Sequence, residues 1–375
     1  MDMMRGIRRL ITFQRVGSHN LANRLTWLGF AALRHRPRVS DIHTRVLSMH
    51  TDGFGQPLRR NRSRTEFVRR TEERCVMEPF TGYLIARQGS IIADSVRSDR
   101  IGLPARYPSP RPFLPAHRVP ANRPAIVVGS TVSLRHPWEN NYYHFFVDVL
   151  GKLALLEQVG VDSQTPLIVG QYASSLPFSD IISRGSLANR QWIHADNRLL
   201  QLDNCYYCRT LQDVRTRTQF VLDLLELPRL SDDLAGSDHR IFVGRATATS
   251  RVLVNSEEVL ALLKSYDFEL IDPAALSFRE QVDVFSRARH VVAIHGAGLT
   301  NVVFRRGLPM GVLELQSSRW SSVVYKELCL GWGYSYRRLV CEDDGSPNPQ
   351  RANLRVDLSR LKIDIEALLA DAPHK

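Results

Sequence analysis

With 375 residues, 43% of them hydrophobic, the chain can fill two ordinary domains with cores of their own, which excludes a disordered protein. Its net charge of +12 is uneven: residues 1–70 carry fifteen arginines, no lysine and four acidic residues, while the remainder is close to neutral. A nucleic-acid-binding body is excluded, and the basic character belongs to the N-terminal segment.

In that segment the longest apolar run, Leu25 to Leu33, is too short for the roughly 20 apolar residues a bilayer crossing needs. The start, Met1-Asp-Met-Met-Arg-Gly-Ile-Arg-Arg9, is basic and does not read as a secretory leader with an apolar core and small-residue cleavage site. Residues 1–70 therefore read as a basic tail, and their interspersed Leu, Trp and Phe also suit the surface of an anionic membrane. Cys75, Cys205, Cys208, Cys329 and Cys341 are too scattered for a disulfide framework and fit a reducing cytoplasm. Cys205-Tyr-Tyr-Cys208 has no second pair, so it reads as strand core and not as a zinc or redox site.

Beyond residue 70 the pattern predicts a first α/β lobe over 71–230. Met77 to Ser95 reads as a hairpin and 103–124 as an irregular Pro- and Arg-rich loop. A strand at Ala125–Gly129, a helix from Asn140 to Gln158, a strand at Pro166–Val169 and a helix near Ser179 to Leu187 follow, giving βαβ alternation. Strands near Trp192 and Leu199–Tyr207 complete the lobe, and a helix over Thr216–Leu227 leads out of it. Within the first helix, His144 and Asp148 are four apart and share a face. A carboxylate beside an imidazole orients the ring and stabilises its protonated form, so the pair suits general-base work. The same spacing suits a metal with His136 as third ligand, although no Asp-x-Asp occurs in the chain.

Ser231–Asp238 is polar and reads as the linker, after which the alternation restarts in a second lobe over 239–345. Arg240–Val243 is a strand, and Arg245 leaves its carboxyl end. Arg251 and Asn255 follow before a helix over Ser256–Lys264; guanidinium groups there suit bidentate contact with phosphate oxygens. A strand at Phe268–Ile271 and a helix over Ser277–Arg287 precede the most telling segment, Arg289 to Phe304. Its buried strand enters His295-Gly296-Ala297-Gly298 and then a helix, a junction whose amides favour an anion such as a diphosphate. Gly311–Leu315 is the next strand, with Glu314 at its carboxyl end, placed to accept hydrogen bonds from ribose hydroxyls. Residues 346–375 form a C-terminal tail with a helix. Two such units predict a doubly wound, two-lobed α/β protein with a cleft between lobes.

Taken together, Asn141-Tyr-Tyr143-His144-Phe-Phe-Val-Asp148-Val-Leu-Gly-Lys152, Gly244-Arg245 with Arg251 and Asn255-Ser-Glu-Glu258, and His295-Gly-Ala-Gly-Leu-Thr-Asn301 with Val312-Leu-Glu-Leu315 resemble glycosyltransferase family 61. The resemblance spans about residues 75–345, and some bacterial members of the family are capsular polysaccharide biosynthesis proteins. It implies a GT-B-like fold of two Rossmann-like lobes and an inverting, metal-independent transferase without a cofactor. The donor would be a nucleoside-diphosphate sugar, UDP-linked, and the acceptor a glycan or glycolipid hydroxyl; apart from the resemblance, the cysteine usage and the basic segment suit a cytoplasmic enzyme at the inner face of the membrane. His144 or Asp148 would take the acceptor proton and Arg245 would stabilise the leaving diphosphate. Asn141, Tyr143, Arg251, Asn255, His295, Gly296, Ala297, Gly298 and Glu314 would bind substrate. Gln316-Ser-Ser318 departs from the family where a proline is expected near position 317.

The rival enzymatic reading is a metal-dependent hydrolase using His136, His144 and Asp148. The rival non-enzymatic reading is a nucleic-acid or membrane-surface binder driven by the basic segment.

Overall fold

The computed structural model describes residues 39–40, 44–50, 66–77, 82–86, 91–92, 95, 126–136, 138–170, 173, 178–195, 199–210, 212–245 and 250–371. The apolar run Leu25–Leu33, with most of the basic segment 1–70 read as a tail or membrane-surface stretch, and the loop expected over 103–124 lie outside them. Among the described residues no helix is long and apolar enough to cross a membrane. The chain is mixed α/β and divides into two compact units. The first holds the described residues up to Ser179 with Asn189–Gln212, and the second Asp180–Ala188 with the described residues from Asp213 onward.

In the first unit the strands are β1 (Val39–Ser40), β2 (Thr44–His50), β3 (Glu66–Thr71), β4 (Cys75–Met77), β5 (Leu84–Ala86), β6 (Ile91–Ile92), β7 (Ile126–Ser133), β8 (Leu167–Gly170), β9 (Trp192–Ala195) and β10 (Leu200–Arg209). They form one sheet in the order β1-β6-β5-β4-β10-β7-β8-β9, with β3 also on β10 and β2 on β3. Only part of it is Rossmann-like: β10, β7, β8 and β9 run parallel, whereas β3 and β4 pair antiparallel with β10. The lobe expected to be Rossmann-like is thus a mixed sheet, because β10 carries the antiparallel strands β3 and β4 along its other edge. Phe67, Met77, Leu84, Ile92, Leu200 and Leu202 pack in its core together with Cys75 and Cys205. All five cysteines are buried and free, and burial pushes the Cys75 thiol up to about 12, as expected of packing groups and not of reactive ones.

The helix expected over Asn140–Gln158 is two pieces: a π-helical segment, His144–Leu150, and α1 (Lys152–Gln158). Ser179–Leu187 is a pair of 3-10 turns, Ser179–Ser183 and Gly185–Asn189. Most of this stretch belongs to the second unit, where Arg184 lies 4.6 Å over the Phe278 ring. Gly185 takes a left-handed φ of +48° against the backbone of Leu224 and Leu225, where a side chain has no room.

After Asp180–Ala188, the second unit resumes at Asp213 and not at the polar stretch 231–238. Asp213 caps α2 (Val214–Leu224) by accepting from the Thr216 amide at 2.9 Å, and Thr218 of that helix accepts from the Trp332 indole at 3.0 Å. The helix that seemed to lead out of the first unit is therefore packed inside the second. Asp232–Gly236, read as linker, is a 3-10 turn.

The remaining elements are β11 (His239–Val243), α3 (Ser256–Ser265), β12 (Glu269–Ile271), α4 (Phe278–Arg287), β13 (Ala288–Ile294), a 3-10 segment Ala297–Arg305, β14 (Gly311–Ser317), α5 (Val324–Gly331), β15 (Ser335–Asp343), β16 (Leu354–Arg355) and α6 (Leu358–Ala370). Ser277 and Glu280 form a reciprocal capping box at the start of α4. The sheet order is β12-β11-β13-β14-β15-β16, parallel except for β16. Counting from β11, the first five strands have the order 2-1-3-4-5 of a doubly wound sheet, whose topological switch lies between β11 and β13. Strand alternation sends Val292, Ile294, Leu313 and Leu315 into one core with α3 and α6 residues such as Val259, Leu263, Leu361 and Ile365. Glu314, between two of those residues in sequence, points to the opposite face.

Candidate functional site

In the first unit the site grows from the loop after β7. Arg135 and Glu139 form a fully buried pair, with Arg135 Nε 2.9 and 3.2 Å from the two carboxylate oxygens. Gly82 and Gly170 lie where a Cβ would strike Arg135 and Glu139 respectively, and Lys152 of α1 donates to the Leu134 and Arg135 carbonyls at 3.2 and 2.9 Å. This clamp holds His136 and Trp138 beside the π-helical segment. Asn141, expected to bind substrate, has its Oδ1 accepting from the Tyr143 amide at 3.0 Å, just ahead of that segment. Tyr143 is buried, edge-on to the His144 ring at 5.3 Å.

His144 Nδ1 lies 2.7 Å from Asp148 Oδ2. A carboxylate only accepts, so Nδ1 carries the proton and Nε2 of the neutral ring presents its lone pair. The ring is stacked on His136 at 5.2 Å and packed against Trp138 at 5.1 Å, which fixes its plane. The π-turn is wider than an α-turn and brings residues four apart nearly into line, and such turns recur at functional sites.

His136, His144 and Asp148 place ligand atoms within 4.8 Å of one another. Their hydrogen bonding opposes a metal, however. The Trp138 backbone N–H donates to His136 Nδ1 at 3.2 Å, which leaves the ring proton on Nε2, 3.9 Å from Asp148 Oδ2. A metal at Nε2 would force the proton onto Nδ1, against the Trp138 N–H.

The second unit carries a different chemistry at the carboxyl ends of β11 and β13. Gly296 is extended, at φ 174°, a conformation open to any residue; it is glycine because a Cβ would strike the Arg245 guanidinium. Gly298 makes room in the same way, its missing Cβ falling 3.1 Å from Pro273 and 3.3 Å from Val243. With Ala297 it opens the segment after β13, which is 3-10 and not α-helical. Arg251 takes a left-handed φ of 57°, strained for a side chain of its size, and donates from Nη1 to the His295 carbonyl at 3.0 Å. Burial lowers the pKa of Arg245, opposed by Tyr325 and Asp272. Burial, and then the neighbouring Arg245 charge, push Arg251 down to about 10. Both Nε atoms are buried without a hydrogen-bond partner among the described residues. Two desolvated guanidinium groups, mutually repelling and incompletely paired, form a place that favours an anion.

Two sequence assignments are corrected here. Asn255 does not face that anion site: its side chain donates to the Val356 carbonyl at 2.9 Å and accepts from the Val356 amide at 3.1 Å. Glu314 is not at a strand end open to a ribose. It is 0% exposed in mid-strand, with one oxygen on His295 Nδ1 and the other accepting from Tyr336 Oη at 2.5 Å. Strand alternation buried it; an outward Glu would look the same in a short sequence window. Sequence reasoning also missed Trp320 and Tyr325, which pack edge-on to the His295 ring at 4.7 and 5.1 Å. Their position just past the β14 strand was the available signal.

No curated protein matches the chain. The family model described as Glycosyltransferase 61 matches residues 142–311, from the turn before His144 through the glycine junction to the start of β14. A member of that family acts on a donor and an acceptor substrate. Residues 142–311 are thus similar to glycosyltransferase family 61, and the match supports a glycosyltransferase enzyme.

Proposed function

We propose that this glycosyltransferase is inverting and metal-independent, moving a sugar from a nucleoside-diphosphate sugar, UDP-linked, to a hydroxyl of a glycan or glycolipid in surface polysaccharide biosynthesis. The observation that carries the reading is the Arg245 guanidinium laid on Gly296 beside Arg251, at the switch point of a parallel sheet. The two arginines supply the positive charge that a departing diphosphate needs. A GT-B-like fold, with the second unit as donor lobe, belongs to the same proposal, as do a cytoplasmic location and contact of the basic residues 1–70 with an anionic membrane.

The acceptor oxygen attacks the anomeric carbon, and the carbon–oxygen bond to the diphosphate breaks with its electron pair going to the phosphate. The acceptor proton passes to His144 Nε2, whose opposite nitrogen is held by Asp148. Asp148 thereby becomes the orienting partner and His144 the base. The metal-dependent hydrolase is not favoured, because the Trp138 N–H on His136 Nδ1 opposes the third ligand.

A panel of nucleoside diphosphates and their sugars, screened for protection against thermal unfolding in excess EDTA, tests the reading. A ligand at 100 times its Kd should stabilise the protein by about 2.7 kcal/mol. Protection by none of them, or protection that requires added manganese or magnesium, would contradict it.

A further inference from the structure

At the end of the second sheet away from the glycine junction, the loop before β11, the start of β13 and the end of α6 enclose a cavity of about 340 Å³. That is the small end of the ~300–1,000 Å³ of small-molecule pockets, with room for one ring and not for a chain. Gly236, Asp238, Arg289, His290, Leu369 and Asp371 line it. Arg289 and His290 stand at the amino end of β13, whereas His295 follows its carboxyl end. The loop is tied in place: Ser237 Oγ donates to the Arg287 carbonyl at 2.8 Å and accepts from the His239 amide at 3.3 Å.

His290 is the group this cavity leaves unsatisfied. Its side chain keeps 8% of its exposure, and Nδ1 is buried without a hydrogen-bond partner among the described residues. The Asp238 carboxylate comes nearest, with Oδ1 3.4 Å away and out of line for a hydrogen bond. Cδ2 packs toward Gly311. The far edge of the ring, Cε1 and Nε2, is left to meet the cavity, and Nε2 has no partner among the described residues either. Burial, opposed by Asp238 and reinforced by Arg289, Arg240 and Arg305, lowers the pKa of the ring to about 4, which keeps it neutral at neutral pH.

The surrounding charges select the ligand. Asp238 is paired with Arg240 at 2.5 Å, and both Asp371 oxygens accept from Arg337 at 3.0 Å, so neither carboxylate is left to attract a cation. Arg289 donates from Nη1 to the Ala235 carbonyl at 3.4 Å, and its other N–H groups meet no partner among the described residues. One guanidinium beside a neutral imidazole holds an anion weakly, because a lone pair on Nε2 would repel it. A hydroxyl both donates and accepts, so it suits Nε2 in either tautomer and Arg289 as well. Leu369 adds an apolar wall for the C–H face of a sugar ring. We propose that this cavity is a second ligand site, which binds one pyranose ring of a glycan through hydroxyls on His290 Nε2 and Arg289. It stands independently of the donor-site reading, whose residues lie at the opposite end of the sheet.

The test is an NMR titration of the full chain carrying carbon-13 at histidine Cε1, with the His290 signal identified as the one missing from His290→Gln. The probes are the methyl pyranosides of glucose, galactose and mannose, the three free hexoses, glycerol as a smaller polyol and inorganic phosphate as an anion. At least one methyl pyranoside should move the His290 signal saturably and bind more tightly than glycerol or phosphate. Gly236→Leu places its side chain in open space from a wall of the cavity and should abolish that movement. Arg289→Ala should weaken pyranoside binding by about tenfold, the loss of one hydrogen bond from a charged donor. Should Gly236→Leu fail to unfold thermally as the wild type does, Arg289→Ala supplies the contrast alone. No saturable movement with any methyl pyranoside, or the same affinity in wild type and in the folded variants, would overturn the proposal. So would tighter binding of glycerol or phosphate, and binding of free hexoses alone would overturn its assignment to a glycan.

Discussion

The two units handle charge in opposite ways. In the first, the groups around the π-helical segment complete one another: Arg135 with Glu139, His144 with Asp148, His136 with the Trp138 amide. In the second, Arg245 and Arg251 are desolvated and close to each other, and their Nε atoms meet no hydrogen-bond partner among the described residues. A self-satisfied network keeps one ring nitrogen ready to accept a proton, whereas an unbalanced pair of cations waits for an anion. The proposed reaction, which moves one proton and releases one diphosphate, would draw on both kinds of chemistry.

The largest effect should come from breaking the first network at its working end. His144→Ala should lower transfer by about 10²- to 10⁴-fold, and Asp148→Asn should do the same, with the double mutant costing less than the sum of the two. Steady-state kinetics with donor affinity measured alongside would check this, since donor Kd should barely move. Near-normal transfer in both single variants would leave the pair as helix-start structure.

Breaking the clamp beneath that network should act on stability. Glu139→Ala removes the buried carboxylate to which Arg135 donates and should cost about 3–5 kcal/mol in urea unfolding. A loss below about 1 kcal/mol would show that water or another carboxylate reaches Arg135.

The glycine junction sharpens the contrast between units. Gly296→Ala meets the end of a flexible arginine and should unfold almost as the wild type does, yet displacing Arg245 should reduce transfer on the order of 10²-fold. Gly298→Ala meets Pro273 and Val243 and should instead cost about 1–3 kcal/mol of stability through overpacking. Equal thermal and kinetic effects in the two variants would remove the distinction.

The smallest effect belongs to the α2 cap. Asp213→Ala should cost about 1 kcal/mol. Hydrogen bonds from Thr216 hold the Asp213 carboxyl below its ordinary pKa, so its contribution is complete above the unfolded value of about 3.9 and is lost as pH falls through the lower folded value. Parallel acid unfolding curves for wild type and variant across that range would contradict the assignment.

Much of this was legible in the sequence where local pattern and tertiary role coincide. The β-branched run before His295 is β13, and Arg245 and the glycines meet where a strand-to-loop junction predicts. The i, i+4 spacing of His144 and Asp148 gave their contact, but not the π-helical segment that carries it, because a pattern read at 3.6 residues per turn does not distinguish the wider turn. Glu314 and Asn255 misled because both sit beside the expected site in sequence, while strand alternation and the Val356 backbone draw their side chains away. The unit boundary at Asp213 was hidden for a similar reason: polarity marks Ser231–Asp238 as a linker, yet α2 is placed by its Trp332 contact, far along the chain.

The most direct test of the central claim is to measure kcat and donor Kd for Arg245→Ala side by side, in excess EDTA. The account predicts full wild-type turnover under chelation and, in the variant, a kcat lower by about 10²-fold or more, a larger factor than the rise in Kd, with Arg245→Lys rescuing only in part because an ammonium lacks the planar fork. An unchanged kcat with only a weaker donor Kd, or wild-type activity abolished by EDTA and restored by a divalent cation, would contradict it.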